Sequence, residues 1–262
     1  MLFLLSPAKA LDYNSPIDPA INSTEPVFQA QAAELIAALK TLSSSELGEL
    51  MALSDKLAQL NADRYTAWKP KPSPDMVRPA ALAFNGDVYG GLAAKTLTPA
   101  QLQWVNTHLR ILSGLYGALR PLDALQPYRL EMGTRFGTGG ASNLYQYWQK
   151  HLVQHLNQVL AEGKHKVLVN LASGEYFKAV DTKALTVPVL ECRFEDEKNG
   201  QYKVVSFAAK RARGLMMRWA AQQQVKSPDD LRAFALEGYA FAPQCSSTQQ
   251  LVFRRPAVKS FA

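Results

Sequence analysis

Cysteine is scarce in this chain, with only Cys192 and Cys245 among its 262 residues. Two cysteines cannot form a disulfide framework, and their spacing matches no metal-binding motif, so the sequence favours a reducing compartment. The chain also lacks any run of about 20 apolar residues that could span a membrane. Its apolar opening, Leu2 to Leu5, is too short for the core of a signal peptide. We therefore expect a cytoplasmic protein without membrane contact.

The common signatures of catalysis are also missing. The sequence contains no phosphate-binding P-loop, no dinucleotide fingerprint and no serine-hydrolase elbow. His151 and His155 have a spacing that could chelate a metal, but no third ligand accompanies them. We therefore expect no metal and no cofactor, and the sequence leaves open whether the protein is an enzyme.

Acidic residues are absent from the segment 198–228, which carries seven basic ones: Lys198, Lys203, Lys210, Arg211, Arg213, Arg218 and Lys226. The whole chain has 29 Lys and Arg against 22 Asp and Glu, so its net charge of +7 equals the charge of this segment. A concentrated positive charge attracts polyanions, and nucleic acid is the commonest of these in a cell. The alternative is a basic helix face that is exposed to solvent and binds no partner.

A helix is predicted over about 208–224, with an apolar face and a cationic face. Gly214 lies in its interior, where glycine costs about 1 kcal/mol relative to alanine. We expect the close approach of another backbone to compensate for this cost.

Two buried strands are predicted to end in a serine that caps a helical turn, at Ser6 and at Ser173. Helix N-termini at strand ends bind phosphate or carboxylate when they line a crevice. Lys9, Lys210 and Arg213 would make such a crevice strongly anion-seeking. Both serines could equally be plain helix caps. Glu175 is a candidate acid or base, or a first-turn carboxylate that stabilises its own helix.

The turn from Gly114 to Gly117 follows a helix that a capping box begins at Thr98. With Arg110 and Arg120 beside it, the segment of about 98–127 resembles a helix-hairpin-helix, in which glycines let backbone amides approach a DNA phosphate. A purely structural turn is the alternative.

The predicted fold is α+β, a single domain over residues 1–262 with a mixed β-sheet flanked by helices. The expected strands cover residues 2–5, 80–84, 166–171, 186–194, 202–207 and 250–254, with the last as an edge strand. The fourth and fifth are expected to form a hairpin across Asn199-Gly200. The expected helices cover residues 25–41, 44–60, 98–110, 143–160 and 208–224.

Six blocks, in this order, resemble the YaaA family of bacterial peroxide stress proteins: Ser6-Pro-Ala-Lys9, Phe84-Asn-Gly-Asp-Val-Tyr89, Leu112-Ser-Gly-Leu-Tyr-Gly117, Gln126-Pro-Tyr-Arg-Leu-Glu-Met-Gly133, Asn170-Leu-Ala-Ser173 with Glu175-Tyr176, and Lys210-Arg-Ala-Arg-Gly214. The similarity runs from Met1 to about Phe253. It implies a cytoplasmic oxidative-stress protein that limits damage by peroxide and iron. It also implies a positively charged cleft and DNA binding that involves a helix-hairpin-helix. Gly174 departs from the family pattern, in which a larger polar residue is more usual, and so does the tail after Phe253.

By position, the resemblance places seven residues around the cleft: Ser6, Lys9, Asn170, Ser173, Glu175, Lys210 and Arg213. Tyr128, Arg129 and Glu131 are expected nearby. The full set predicted to bind DNA or another anion is Ser6, Lys9, Arg110, Gly114, Gly117, Arg120, Arg129, Asn170, Ser173, Lys210, Arg211, Arg213 and Arg218. Glu175 and Lys9 are the catalytic candidates.

Two functional hypotheses follow. The first is a DNA-binding stress protein that contacts phosphates, on duplex or distorted DNA, with little sequence preference. The second is an enzyme that acts on a nucleotide or another phosphorylated small molecule, with Lys9 and Arg213 holding the anion. A deep, narrow pocket would favour the enzyme, and an open groove would favour DNA. No obligate protein partner is expected.

Overall fold

The computed structural model describes residues 1–18 and 20–257. Its helices are α1 (Gln29–Leu39), α2 (Ser44–Met51), α3 (Asp55–Ala67), α4 (Ala80–Ala83), α5 (Asp87–Leu92), α6 (Pro99–His108), α7 (Leu144–Glu162), α8 (Gly174–Phe177) and α9 (Ser206–Gln223). Its strands are β1 (Leu2–Leu5), β2 (Ala10–Leu11), β3 (Arg78–Pro79), β4 (Phe84–Asn85), β5 (Leu109–Ser113), β6 (Gly117–Leu119), β7 (Ala124–Leu125), β8 (Leu168–Leu171), β9 (Val189–Lys198), β10 (Gln201–Lys203), β11 (Ala240–Phe241) and β12 (Gln250–Arg255).

A mixed sheet in the order β11-β12-β9-β8-β1-β5-β6 lies at the centre of the fold, and β10 also pairs with β9. The five strands from β12 to β5 are parallel to their neighbours, whereas β6, β10 and β11 are antiparallel. Parallel strands are buried on both faces, which explains why β1 is a continuous apolar run with every residue buried. The predicted mixed sheet flanked by helices is confirmed.

Local sequence signals fix several element boundaries. Thr98 forms the predicted capping box with Gln101 at the start of α6, and the Asn143 side chain caps α7. Asn199 and Gly200 both have positive φ values in the turn between β9 and β10, which confirms the predicted hairpin. The predicted helix over residues 44–60 is instead two helices, because Ala52 takes a left-handed conformation with a φ of 51°.

The short helix α5 crosses α9 at two glycines, Gly91 and Gly214. A Cβ atom on Gly214 would overlap the Val88 carbonyl oxygen, and one on Gly91 would overlap the Arg211 carbonyl oxygen. The close backbone approach expected at Gly214 is confirmed, although Gly214 is buried rather than part of an exposed cationic face.

Three strand predictions need correction. Residues 80–84 form α4 and the start of β4 rather than a strand of the main sheet, since the alanines favour a helix and β4 pairs with β2 in a separate two-stranded sheet. The strand predicted over residues 202–207 ends at Lys203, because α9 begins at Ser206. β12 is not an edge strand, since β11 pairs with its outer side.

The helix-hairpin-helix prediction for residues 98–127 is wrong. α6 leads directly into β5, which pairs with β1, and the turn joins β5 to β6 in a β-hairpin. The Ser113 hydroxyl accepts hydrogen bonds from the amides of Leu115 and Tyr116, so these amides are not free for a phosphate. Gly114 packs on the Leu130 backbone and Gly117 on the Trp148 ring, which buries both glycines.

None of the described helices is long and apolar enough to cross a membrane.

Candidate functional site

A cleft opens where the parallel strands β1 and β8 end side by side. In the main sheet, β5 lies on one side of β1, whereas β8, β9 and β12 lie on its other side. Such a change of direction leaves a crevice at the carboxyl ends of the strands, where α/β proteins bind ligands. The cavity has a volume of about 330 Å³, and its lining includes Ser6, Lys9, Asp87, Tyr128, Arg129, Glu131, Ser173, Glu175, Lys210 and Arg213.

Ser6 and Ser173 meet at the floor of the cleft. The Ser6 hydroxyl lies 3.2 Å from the Ser173 hydroxyl and accepts the Ser173 backbone N–H at 2.8 Å. The prediction that both serines cap a helical turn is wrong for Ser6, because no helix follows it. Ser173 does precede α8, but its side chain makes no capping hydrogen bond. The two serines instead hydrogen-bond to each other and connect the ends of β1 and β8 at the floor of the cleft.

An ion-pair network forms the rim opposite α9. Lys9 Nζ lies 2.7 Å from one carboxylate oxygen of Glu131, and Arg129 Nη2 lies 2.7 Å from the other. Burial acts to raise the pKa of Glu131, but the hydrogen bonds from Lys9 and Arg129 hold that pKa below its usual value. Lys9 and Arg129 therefore share Glu131, and Lys9 is ion-paired rather than free.

Glu175 projects from the first turn of α8, and its carboxylate accepts the Gly133 backbone N–H at 3.0 Å. This hydrogen bond connects α8 to the loop that contains Gly133, which follows Arg129 and Glu131 in the chain. Asn170 does not line the cleft cavity. Its side-chain oxygen accepts the Ala172 N–H at 2.9 Å and shapes the end of β8, and Asn170 faces a smaller neighbouring cavity that Arg213 also borders.

Lys210 and Arg213 supply the cations of the α9 wall. Arg213 is half-buried, its guanidinium makes no hydrogen bond to any described residue, and its Nε atom is shielded from solvent. Burial lowers the pKa of Arg213. Lys210 is exposed and makes no ion pair within the described part of the chain.

Arg211 and Arg218, which were also predicted to bind DNA or another anion, lie on the same helix but do not line the cleft. Arg211 forms a bidentate ion pair with Glu237, in which Nε donates to Oε2 and Nη2 to Oε1. Arg218 donates to the backbone oxygens of Leu92 and Ala93, at the end of α5. Both guanidinium groups therefore stabilise the fold.

Arg110 and Arg120 lie at the opposite edge of the sheet, because Arg110 stands near the amino end of β5. Arg110 is buried, and burial lowers its pKa to about 10. Arg120 pairs with Asp123 at 2.9 Å. Arg110 and Arg120 therefore flank a β-hairpin rather than a helix-hairpin-helix, and they lie away from the cleft. Nearby, burial lowers the pKa of His155 to about 4, and its ring packs on Phe28.

Among the described residues, no group of three or more His, Cys, Asp or Glu side chains could hold a metal ion. The cleft itself is lined by four cations and three carboxylates. The charge of the lining is therefore mixed, and the positively charged cleft that the resemblance implies stays a prediction. Sequence reasoning missed Asp87 as a lining residue. The signal was the polar Asn85-Gly86-Asp87 turn directly after a buried segment.

The fold and the cleft define a mixed-sheet α/β protein with a ligand-sized site, lined in part by charged side chains, where the strand order changes direction. The family described as Peroxide stress protein YaaA matches residues 1–245. Three similar proteins, each named UPF0246 protein, come from Delftia acidovorans, Paracidovorax citrulli and Bordetella petrii. The first is 57% identical over 97% of this chain and 98% of its own length. The second is 56% identical over 97% of this chain and 98% of its own length. The third is 54% identical over 98% of this chain and 100% of its own length. The chain therefore belongs to the YaaA family of peroxide stress proteins.

Proposed function

We propose that this protein binds DNA through backbone phosphates, in the cytoplasm, as its contribution to peroxide resistance. The contacts come from the α9 wall of the cleft, where Lys210 and Arg213 lie one turn apart. Phosphate contacts carry no sequence information, so we expect little preference for base sequence.

The state of Arg213 is the observation that carries this proposal. A donor atom that is shielded from solvent is normally hydrogen-bonded, because leaving it without an acceptor costs about 1–3 kcal/mol. Arg213 is half-buried, and its shielded Nε atom has no acceptor among the described residues. The charge of Glu191 favours the charged form of Arg213, but no hydrogen bond joins the two side chains. A phosphate in the cleft would supply the missing acceptors, since the planar guanidinium fork matches phosphate oxygens.

The carboxylates of the cleft are compatible with this ligand. Glu131 is neutralised by Lys9 and Arg129, and Glu175 accepts a backbone N–H. Asp87 lies in the first turn of α5, where the helix dipole favours a negative charge. The groups left for a phosphate are therefore Lys210 and Arg213.

Fluorescence anisotropy with a labelled oligonucleotide tests the proposal. With two to four phosphate contacts, raising the salt concentration from 50 to 200 mM should weaken binding by about tenfold to a hundredfold. Arg213→Met should weaken binding by about tenfold at low salt, since a charge-assisted hydrogen bond contributes about 1.5–3 kcal/mol.

Arg211→Met is the matched control, because it removes the same charge from the same helix but outside the cleft. It should leave affinity within about twofold, since the contact it loses is an internal one with Glu237. The proposal is wrong if binding is insensitive to salt, or if a Lys210→Ala, Arg213→Met double variant that folds normally binds like the parent protein.

An enzyme that acts on a nucleotide or a similar phosphorylated molecule is the second candidate. The size of the cleft favours it, since pockets of about 300–1,000 Å³ hold small molecules. Glu175 would act as the acid or base, and Lys9 with Arg213 would hold the anion.

Titration calorimetry with nucleoside mono-, di- and triphosphates, followed by chromatography of the products, tests this candidate. A substrate should be converted by the parent protein, and at least about a hundredfold more slowly by Glu175→Gln, in line with the loss of a general acid or base. Equal turnover by both proteins would exclude Glu175 from this role.

A further inference from the structure

Phe207, at the start of α9, is exposed to an unusual degree. Its exposed fraction is 67%, the highest among the large apolar side chains that the structure describes. Val204, three residues earlier, is 46% exposed. A single exposed apolar residue needs no explanation, but an exposed aromatic ring beside a charged site often marks a binding surface.

The position of Phe207 connects it to the cleft. Residues three apart on a helix lie on neighbouring parts of one face, so Phe207, Lys210 and Arg213 follow one another along α9, one per turn. The rise per turn is about 5.4 Å. Lys203 in β10 lies four residues before Phe207 and is also exposed. Phe207 therefore lies between two exposed cationic residues along the chain, Lys203 before it and Lys210 after it.

The nearby carboxylates do not cancel these cations. Asp196, which pairs across the hairpin with Lys203, forms its own ion pair with Arg255 at 2.6 Å. Glu197 accepts the Ala257 backbone N–H at 3.1 Å. Glu197 keeps its charge, but the two exposed lysines, Lys203 and Lys210, outnumber it, so the surface favours an anionic ligand.

We infer that Phe207 is a stacking platform for an unpaired base, so that the protein prefers single-stranded or locally unpaired DNA to fully paired duplex. The inference rests on the proposed DNA binding and adds which form of DNA the protein prefers. Proteins that bind single strands combine a cationic track for phosphates with aromatic rings on which bases stack. The small volume of the cleft agrees with one strand rather than two. In a duplex the bases are already stacked on each other and cannot reach the ring.

Affinity for three probes at one salt concentration tests this inference: an oligothymidylate, a fully paired duplex, and the same duplex with a central bubble of unpaired bases. The parent protein should bind the first and third probes more tightly than the duplex. Phe207→Ala should lose about tenfold in affinity for these two probes, since stacking contributes about 1–3 kcal/mol per base. Its affinity for the duplex should stay within about twofold.

Leu57→Ala is the matched control, because Leu57 is a 42% exposed apolar residue on α3, outside the cleft and α9. It should bind all three probes like the parent protein. Phe207→Trp supplies a second readout, since its indole fluorescence should be quenched when the oligothymidylate binds, and much less by the duplex.

The outcomes separate this inference from the proposed function. If the parent protein binds no probe in a salt-sensitive way, both fail. If it binds DNA but Phe207→Ala binds every probe equally well, the stacking role fails and DNA binding stands. An equal loss for duplex and single strand, or a change in oligomeric state without a change in DNA affinity, would likewise overturn the stacking role.

Discussion

Replacing Gly214 with alanine is expected to lower the free energy of unfolding by about 3 kcal/mol, although alanine is the better helix former by about 1 kcal/mol. The reason is the crossing of α5 and α9. A Cβ atom at this position would overlap the Val88 carbonyl oxygen and lie 2.7 Å from the Leu92 nitrogen. Both are backbone atoms, so no side-chain rotation can relieve the overlap and the helices must separate.

Urea unfolding followed by circular dichroism measures this loss. Gly48→Ala is the matched control, because Gly48 also lies inside a helix, but its new Cβ would meet the Ala58 Cβ only at an ordinary 3.4 Å. That variant should be unchanged or more stable, by up to about 1 kcal/mol. Equal stability of the Gly214→Ala variant and the parent protein would show that the two helices do not pack as described.

Replacing Asp123 with alanine should cost about 3 kcal/mol, because it leaves buried donors without an acceptor. Asp123 is 1% exposed. Its carboxylate accepts the Thr24 hydroxyl at 2.6 Å and the Arg120 backbone N–H at 2.7 Å. Burial raises the pKa of Asp123 despite these hydrogen bonds. The carboxylate ties the segment before α1 to the loop after β6.

Chemical unfolding at pH 7 tests this expectation. Asp123→Asn keeps one acceptor oxygen and should lose less than the alanine variant. Asp229→Ala, which removes an exposed ion pair with Arg232, should change stability by less than about 0.5 kcal/mol. If Asp123→Ala proved as mild as Asp229→Ala, the buried network would contribute nothing measurable.

The parts of the fold that the sequence predicted are those set by local chemistry. Capping at Thr98 and Asn143, the Asn199-Gly200 turn and the apolar run of β1 each depend on a few neighbouring residues. β5 was missed because a capped helix followed by two glycines fits both a helical hairpin and a β-hairpin. Pairing with β1, which lies more than 100 residues away in sequence, decides between them.

The candidate site could be predicted in part, because two of its residues follow from a local sequence pattern. Ser6 and Ser173 each follow a buried strand, and the ends of adjacent parallel strands meet, so their proximity follows from the pattern. The roles of Arg211 and Arg218 did not follow, since their partners lie 26 and about 125 residues away in the chain. Arg110 was misplaced because its position on β5 was not recognised.

The Arg218 contacts have a consequence for how the cleft can move. α5 is held to α9 at the glycine crossing and again where Arg218 binds the carbonyls of Leu92 and Ala93. Asp87 on α5 and Lys210 on α9 therefore belong to one rigid body. If the entrance widens, we expect the facing rim to move, and the ion pair between Lys9 and Glu131 restrains the two loops of that rim.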